Sequence, residues 1–232
     1  VKKTGIPITN TVMGLGTYPM DDPLSLHMLG MHGAVYANIA MNHADLVIAL
    51  GVRFDDRVTG KLAEFCKNAK FIHVDIDPSE FNKNISVDVP IQGDLKQALK
   101  MLNDVVEPKK DIGPWVKQIQ GWKKEFPLDY QLNEKTIVPQ SVIVETQKLA
   151  DKDCIISVGV GQHQMWTAQF WRFHSPRSWL CSSGLGSMGF GLPAAMGAQV
   201  ACPDRQVINF EGDGSFLMNI QELQTLKIEN IP

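Results

Sequence analysis

Apolar positions along the first half of the chain follow two patterns, one typical of strands and one typical of helices. Three short apolar runs end in, or are followed by, glycine or acidic residues and are predicted to be strands: 6–9, 45–51 and 70–77. Helical patterns are predicted at 35–42, at 60–67 and at 94–106, with Asp94 as the N-cap of the last. Strands and helices that alternate at this spacing indicate βαβ units and a parallel sheet.

The second half repeats this alternation after a more polar stretch. Residues 108–136 mix charges, aromatics and prolines and are predicted to be a linker, with one helix around 115–124. Pro139 suits the first turn of a helix that runs to Leu149. Strands are then predicted at 154–159 and 207–210, separated by an aromatic helix and a Gly/Ala-rich segment. The predicted fold class is α/β, with two doubly wound parallel-sheet units.

Composition narrows the class of protein. The 232 residues are 44% hydrophobic and 20% charged, which is typical of a globular protein. A formal net charge of −3 gives no electrostatic case for nucleic acid, and every apolar run is too short to span a bilayer. The four cysteines (Cys66, Cys154, Cys181 and Cys202) are scattered, which favours reduced thiols of an intracellular protein over a disulfide frame or a zinc site.

The turn Gly212–Asp213–Gly214 follows the last predicted strand and carries the clearest chemistry. A carboxylate at the carboxyl end of a parallel strand lies where open α/β sheets bind their ligands. Beside backbone N–H groups, such an aspartate suits a Mg²⁺ ion that phosphate oxygens also hold. The alternative is that Asp213 caps the following helix. The residues of this turn alone favour the cap slightly.

Two glycine-rich segments add to that turn. Residues 182–195 combine several glycines with a small-residue helix, which favours either close helix packing or a backbone that approaches a ligand. Residues 159–164 (G-V-G-Q-H-Q) follow a strand directly and could hold a diphosphate at a strand–helix junction. This second motif is weak alone, because it does not fit the dinucleotide-binding pattern and a solitary histidine is more often structural. Together with the Gly-Asp-Gly turn, a cofactor site is favoured.

The first half offers a second candidate site. The motifs at 30–33 (G-M-H-G), 51–57 (G-V-R-F-D-D-R) and 75–77 (D-I-D) lie in loops, and the last two follow strands. An acid at a strand end can bind ribose hydroxyls, and arginines nearby can hold a diphosphate. For Arg53 to Arg57 alone, a surface ion-pair cluster is the favoured alternative.

In combination these motifs resemble the catalytic subunit of acetohydroxyacid (acetolactate) synthases, a family of thiamine-diphosphate enzymes. The resemblance rests on 13–16 (M-G-L-G), 28–38 (M-L-G-M-H-G-A-V-Y-A-N), 51–60, 75–77, 161–166 (G-Q-H-Q-M-W), 184–195 and 211–216 (E-G-D-G-S-F). It covers nearly the whole chain and is weakest across 107–135. It implies that residues 1–107 are the later part of a central FAD-binding domain, which is incomplete at its start. Residues 137–232 would be the truncated start of a domain that binds thiamine diphosphate.

The resemblance also assigns site residues. The implied FAD contacts are Thr11, Val12, Met13, Gly30, Met31, His32, Gly33, Gly51, Val52, Arg53, Asp55, Arg57, Asp75, Ile76, Gly93 and Asp94. The implied thiamine-diphosphate contacts are Val160, Gly161, Gln162, His163, Gly186, Met188, Gly214 and Ser215. Asp213 becomes the Mg²⁺ ligand, and Met188 becomes the apolar wedge that holds the cofactor bent. In this family the flavin performs no net redox chemistry.

The implied reaction decarboxylates pyruvate and condenses the product with pyruvate or 2-ketobutyrate. It yields 2-acetolactate or 2-aceto-2-hydroxybutyrate for branched-chain amino acid biosynthesis. The implied partners are the 2-ketoacids, a second full-length subunit in a homodimer or larger homo-oligomer, and a regulatory small subunit, but neither nucleic acid nor membrane. The implied compartment is intracellular: the cytoplasm in a bacterium, or an organelle in a eukaryote.

Parts of the implied machinery fall outside this sequence. The chain begins at Val1 in a strand-like segment and stops at Pro232, so we expect an internal piece of a larger protein. The family's activating glutamate and remaining metal ligands would lie outside it, so no residue here is assigned as the proton-transfer catalyst. The chain alone is therefore expected to be inactive. The alternatives are another thiamine-diphosphate enzyme (glyoxylate carboligase, pyruvate oxidase or a decarboxylase) or a non-catalytic nucleotide-binding module.

Overall fold

The computed structural model describes residues 1–108 and 111–232, which divide into two compact units. Unit 1 comprises Val1–Thr11 and Leu26–Pro127, and unit 2 comprises Val12–Ser25 and Leu128–Pro232. Two residues of the predicted linker, Lys109 and Lys110, lie outside the described residues. Each unit contains a three-stranded parallel sheet with helices between its strands, which confirms the α/β fold class.

Unit 1 is built around the sheet β3-β4-β5. Its elements are β1 (Ile8–Asn10), β2 (Ser25–Met28), α1 (Val35–His43), β3 (Leu46–Leu50), α2 (Asp56–Thr59), β4 (Lys70–Asp75), β5 (Val89–Gln92), α3 (Leu95–Val105) and α4 (Gly113–Glu125). Strand β4 lies in the middle, with Ile72 opposite Ile48 on one side and Val89 on the other. Strands β1 and β2 form a separate two-stranded sheet.

The core of unit 1 lies beside β3 and β4. Val47 and Ala49 of β3 pack with Phe71 of β4 and with the buried side chains of Phe54 and Cys66. Burial raises the pKa of the Cys66 thiol to about 12, because a thiolate loses its hydration there. These side chains cover one face of the sheet with buried apolar surface. Burial of apolar surface is the main contribution to the stability of unit 1.

One predicted helix in unit 1 is wrong. The segment 60–67 contains only a 3₁₀ turn at Leu62–Glu64, while the α-helix of this region, α2, begins earlier. The Asp55 carboxylate accepts hydrogen bonds from the backbone N–H groups of Arg57 and Val58 and so caps α2. Gly60 then takes a φ of +59° and ends the helix. The cap at Asp55 and the turn at Gly60 therefore place the helix before residue 60, although the apolar pattern predicted it at 60–67.

Most other predicted elements are confirmed. Strands β3 and β4, helices α1 and α4, and helix α3 occur where the pattern placed them. The Asp94 carboxylate caps α3 by accepting a hydrogen bond of 3.0 Å from Gln97 N–H. Strands β2 and β5, which have four residues each, were not predicted. Strand β5 carries Pro90 and lies at the sheet edge, the place where a sheet tolerates proline.

Unit 2 is built around the sheet β7-β6-β8. Its elements are α5 (Pro139–Leu149), β6 (Ile155–Val158), α6 (Gln162–Phe170), β7 (Trp179–Leu180), α7 (Gly191–Ala201), β8 (Val207–Phe210), α8 (Asp213–Met218) and α9 (Glu222–Ile228). All four residues of the central strand β6 are buried. Its Ile156 lies opposite Trp179 of β7 and Ile208 of β8. Proline at the start of α5 is confirmed, and the two-residue strand β7 was not predicted.

The strand order of unit 2 creates a place for a ligand. The chain passes from β6 to β7 on one side and then returns to β8 on the other side of β6. Such a reversal separates the loops that leave β6 and β8, and open α/β sheets bind ligands in the resulting crevice at the carboxyl ends of the strands. Helix α7 packs at this point, where the buried Ser157 hydroxyl donates a hydrogen bond of 2.8 Å to Gly191 O.

The predicted domain limits of 1–107, 108–136 and 137–232 remain predictions. The structure groups α4 with unit 1 and the segment Val12–Ser25 with unit 2. Among the described residues, no helix combines the length and apolarity that a membrane span requires.

Candidate functional site

The loops after β6 and β8 form the centre of the candidate site in unit 2. Gly159 follows β6 and donates its N–H to Phe210 O at the end of β8, at 3.4 Å. Gly161 has a φ of +155° and is the N-cap of α6, with no side-chain cap of its own. The first N–H groups of α6 are therefore not capped by that residue's side chain, and such groups bind phosphate well.

His163 lies in the first turn of α6 and faces the β8 loop. Its side chain is 17% exposed, and its Nε2 lies 4.0 Å from Glu211 Oε1. A Cβ built on Gly212 would lie 2.8 Å from the imidazole, so only glycine allows the two loops to approach this closely. Burial lowers the pKa of His163, and the nearby carboxylates of Glu211 and Asp213 oppose that shift only in part.

Asp213 is the first residue of α8, and its side chain is exposed. The N-cap of α8 is Gly212, so the interpretation in which Asp213 caps this helix is wrong. A carboxylate in the first helical turn is stabilised by the helix dipole, yet it stays available to a cation. Among the described residues, no group of three or more histidine, cysteine or acidic side chains could hold a metal ion.

The loop before α7 is fixed against α8 by buried hydrogen bonds. Gly189 N–H donates to the Ser215 hydroxyl at 2.7 Å, and the Asn219 amide donates to Gly189 O at 2.6 Å. This docking places Met188 beside Gly214, where an added Cβ would lie 3.1 Å from the Met188 methyl group. Met188 remains 44% exposed, so its thioether presents an apolar surface to solvent at this edge of the site.

The structure thus brings together many of the site residues predicted for unit 2. His163, Asp213 and the Gly214–Met188 contact lie around the ends of β6 and β8, and Ser215 is buried behind them. Val160 and Gly161 lie directly before α6, and Gln162 is its first residue, next to His163. Gly186 has a φ of +68°, and no heavy atom outside its own neighbourhood lies within 4 Å of a Cβ built there.

Sequence reasoning missed Glu211. This acid belongs to the motif at 211–216 that carries the resemblance, but neither the motif nor the resemblance assigns it a role. Its side chain is 7% exposed and lies among the loops of the site. A charged residue that follows a strand directly and precedes a glycine turn is the one signal that could have indicated it.

The predicted nucleotide site of unit 1 lies at the carboxyl edge of its sheet. Gly51, Asp75 and Gly93 mark the ends of β3, β4 and β5. Gly51 N–H donates to Val74 O at 2.8 Å, and Gly93 N–H donates to Asp75 O at 3.0 Å. Val52, Ile76 and Asp94 follow directly, and Ile76 is 71% exposed. Six of the sixteen predicted residues of this site therefore fall on one sheet edge, as the alternation predicted.

The loop at 30–33 packs on the arginine-rich loop. Met31 N–H donates to Arg57 O at 2.8 Å, and an added Cβ on Gly30 would lie 3.1 Å from the Val58 Cα atom. His32 on the same loop is exposed, while Gly33 is close-packed against the backbone of Leu29. The glycines are therefore needed for this close approach.

The arginines of unit 1 form the ion pairs that the alternative interpretation expected. Arg53 Nε lies 3.4 Å from Asp55 Oδ2, and Arg57 Nε lies 4.0 Å from Asp56 Oδ2. Both guanidinium groups are more than half exposed, and exposed pairs of this kind contribute little to stability. They are therefore free to exchange their partners for a phosphate.

Three further residues predicted for the FAD site lie near the start of the chain. Thr11 belongs to unit 1, while Val12 and Met13 belong to unit 2. Within unit 2, Met13 Sδ lies 3.8 Å from Cys181 Sγ, and 63% of Met13 is exposed. Their roles toward FAD remain predictions.

Comparison with known proteins identifies the family to which this chain is similar. Residues 1–102 match the family model described as the thiamine pyrophosphate enzyme, central domain, and residues 159–232 match the C-terminal TPP binding domain of the same enzymes. The whole chain is 54% identical to the chloroplastic acetolactate synthase of Arabidopsis thaliana, of which it covers 35%. It is also 55% identical to chloroplastic acetolactate synthase 1 of Zea mays and 53% identical to that of Oryza sativa subsp. japonica, covering 37% of each.

The chain spans about a third of the length of these curated relatives. The two family models are adjacent domains of one kind of enzyme, and they occur in the order that the resemblance implied. The resemblance stated from the sequence is therefore confirmed. The chain belongs to the thiamine pyrophosphate enzyme family and contains parts of its central and TPP-binding domains.

Proposed function

We propose that the protein containing this chain is an acetolactate synthase. It decarboxylates pyruvate and joins the product to pyruvate or 2-ketobutyrate, giving 2-acetolactate or 2-aceto-2-hydroxybutyrate. The observation that carries this proposal is the similarity over the full length of the chain to acetolactate synthases from several plants, at 51–55% identity. The two family models alone would fit other reactions of this enzyme family equally well.

Thiamine diphosphate supplies the nucleophilic carbon for this chemistry and accepts the electrons that remain when carbon dioxide leaves. The geometry of unit 2 fits that cofactor. The uncapped start of α6 at Gly161 offers backbone N–H groups to a diphosphate, and the partly exposed Met188 offers an apolar surface for the ring system. The buried Nε2 of His163 has no hydrogen-bond partner among the described residues. These residues bind and orient the cofactor in our proposal, together with Val160, Gln162, Gly186, Gly214 and Ser215.

Asp213 is proposed to hold Mg²⁺. Its exposed carboxylate lies in the first turn of α8, and it approaches His163 closely enough to influence the pKa of that imidazole. Mg²⁺ in phosphate sites typically takes one or two protein carboxylates together with phosphate oxygens and water. A single aspartate from this chain is therefore enough protein ligand for such a Mg²⁺ site.

FAD is proposed to bind unit 1. The exposed guanidinium groups of Arg53 and Arg57 suit its diphosphate, and the carboxylate of Asp75 at the end of β4 suits a ribose hydroxyl. The Asp75 side chain is oriented by Asp77 N–H, which donates to its Oδ1 at 2.9 Å. The flavin contributes no electron transfer to the proposed reaction, so its role here is structural.

Several properties of the whole protein follow from the proposal. We expect homodimers or larger homo-oligomers, a regulatory small subunit, and no activity from the 232-residue chain alone. The names of the relatives place those proteins in the chloroplast, and an intracellular compartment is our expectation for this one. Acetolactate formation by the chain alone would contradict the expected inactivity.

Product analysis tests the proposed function. The protein containing this chain is supplied with pyruvate, thiamine diphosphate, Mg²⁺ and FAD, and the products are identified by NMR. We expect 2-acetolactate as the main product, and 2-aceto-2-hydroxybutyrate when 2-ketobutyrate is added. Acetate or acetaldehyde as the main product would favour an oxidase or a decarboxylase instead. Absence of any turnover would favour the non-catalytic nucleotide-binding module.

A further inference from the structure

Glu211 lies at the junction of four elements of unit 2. It follows β8 directly, and its side chain is 7% exposed. A Cβ built on Gly159, at the end of β6, would collide with Glu211 Oε1, and one built on Gly191, at the start of α7, would collide with Oε2. The carboxylate therefore occupies space that two glycines leave free, and it is held in place from both sides.

The two oxygens of this carboxylate have different surroundings. Oε2 accepts a hydrogen bond of 3.2 Å from the Asn209 amide. Oε1 is buried and accepts none from the described residues. A buried acceptor without a donor is destabilising, so its orientation requires an explanation.

Two polar groups lie near Oε1: the Ser215 hydroxyl, which like Oε1 would contact a Cβ built on Gly159, and the Nε2 of His163, at 4.0 Å. The Ser215 hydroxyl already accepts a hydrogen bond from Gly189 N–H, so we consider Nε2 as the partner of Oε1. It too is buried and without a hydrogen-bond partner among the described residues. A hydrogen bond between them requires an approach of about 1 Å, since such bonds have donor–acceptor distances near 3 Å. A neutral imidazole with its proton on Nε2 can donate this bond, so the contact needs no change of protonation.

This contact would join the two halves of the proposed cofactor site. His163 belongs to the loop whose N–H groups are proposed to hold the diphosphate, and Glu211 belongs to the turn that carries Asp213. We propose that Glu211 is a positioning residue, which accepts a hydrogen bond from His163 Nε2 in the cofactor-bound enzyme and so fixes the spacing between the diphosphate-binding loop and Asp213. This inference rests on the proposed function and assigns Glu211 no contact with the substrate.

The chemistry of glutamine makes a sharp test of this role. Glu211→Gln keeps the size of the side chain, so the space between the glycines stays filled. A glutamine has one acceptor oxygen, whereas Asn209 and His163 require two. With its oxygen on Asn209, the glutamine turns its N–H₂ group toward His163 and can no longer accept the bond from Nε2–H that the proposal requires. Glu145→Gln, an exposed acid of α5 in the same unit, is the matched control.

Cofactor affinity is the first readout. The affinity of the protein for thiamine diphosphate in the presence of Mg²⁺ is measured by tryptophan fluorescence quenching, which needs no turnover. We expect Glu211→Gln to raise the dissociation constant about 10- to 100-fold, as for other residues that orient a ligand-binding side chain. Glu145→Gln should leave the dissociation constant unchanged. Unchanged cofactor affinity in Glu211→Gln would overturn the inference.

A double-mutant cycle shows whether Glu211 acts through His163. If it does, the combination of Glu211→Gln with His163→Ala weakens binding no more than the stronger single change. Losses of affinity that multiply would mean that the two residues act independently, and would overturn the inference.

The wild-type protein separates this inference from the proposed function. Failure of the wild type to bind thiamine diphosphate would overturn the proposed function, and the positioning role with it. Tight binding and acetolactate formation by the wild type, with no effect of Glu211→Gln on affinity, would overturn the positioning role alone.

Discussion

Two glycines of α7 should respond in opposite ways to the same substitution. Gly191 lies at the start of the helix, and Gly197 lies in its middle. A Cβ on Gly191 would lie 2.5 Å from Gly159 N and 2.7 Å from the Val158 carbonyl carbon, besides its collision with Glu211. A Cβ on Gly197 would meet no heavy atom within 4 Å outside its own neighbourhood. The two sites therefore differ in packing but share one helix.

The magnitudes follow from packing and helix propensity. At Gly197 the change to alanine should stabilise the protein by roughly 0.5–1 kcal/mol, since alanine restricts the unfolded chain more than glycine does. At Gly191 overpacking against the backbone should cost about 1–3 kcal/mol, because the end of a central strand cannot move aside. The two variants should therefore differ by roughly 1.5–4 kcal/mol.

Calorimetry of Gly191→Ala and Gly197→Ala in parallel measures this difference. A change of 1 kcal/mol shifts the Tm of a protein of this size by roughly 2–4 °C, so the two Tm values should lie about 3–16 °C apart. Gly191→Ala should also weaken thiamine-diphosphate binding, because it displaces the Glu211 carboxylate. A Gly191→Ala variant as stable as Gly197→Ala would refute the packing described for the end of β6.

Three further outcomes test other parts of the structure. Asp94→Ala should lower the free energy of unfolding by about 1 kcal/mol, because α3 loses its N-cap; an unchanged denaturation midpoint would show that the cap contributes nothing. Cys66, with its pKa raised to about 12, should resist a thiol reagent at pH 8 under native conditions, while the less buried Cys202 reacts; equal rates would contradict the burial. The lowered pKa of His163 favours its neutral form in the folded state, so its contribution to stability is present above the unfolded pKa and is lost as pH falls through the folded value. Denaturation from pH 7.5 to 5 should show this loss in the wild type and less of it in His163→Gln.

The sequence predicted those elements whose signal is local. Strands β3, β4, β6 and β8 are apolar runs followed directly, or after one residue, by a glycine or an acid, and Pro139 and Asp94 mark helix starts by their own chemistry. The two-residue strand β7 is too short to produce a pattern. The prediction of a helix at 60–67 is wrong because the Asp55 cap and the positive φ of Gly60 determine where the helix lies, and the apolar spacing does not.

The residues of the candidate site likewise divide into those that local sequence signals predict and those that they do not. Asp213 and the glycine loops could be predicted, because strand ends and glycines mark them in the sequence. The burial of Glu211 could not, because it depends on Gly159 and Gly191, which the fold brings to it from distant parts of the chain. A carboxylate in a motif gives no local sign that both of its faces are enclosed.

Calorimetric titration with thiamine diphosphate, with and without Mg²⁺, tests the central claim most directly. The claim is that the crevice beside β6 and β8 binds the magnesium diphosphate through Asp213. The wild-type protein containing this chain should bind the cofactor only when Mg²⁺ is present. Asp213→Ala should abolish this binding, whereas Asp204→Ala, an exposed aspartate in the turn before β8, should leave it unchanged. Equal affinity of the Asp213→Ala and wild-type proteins would contradict the claim.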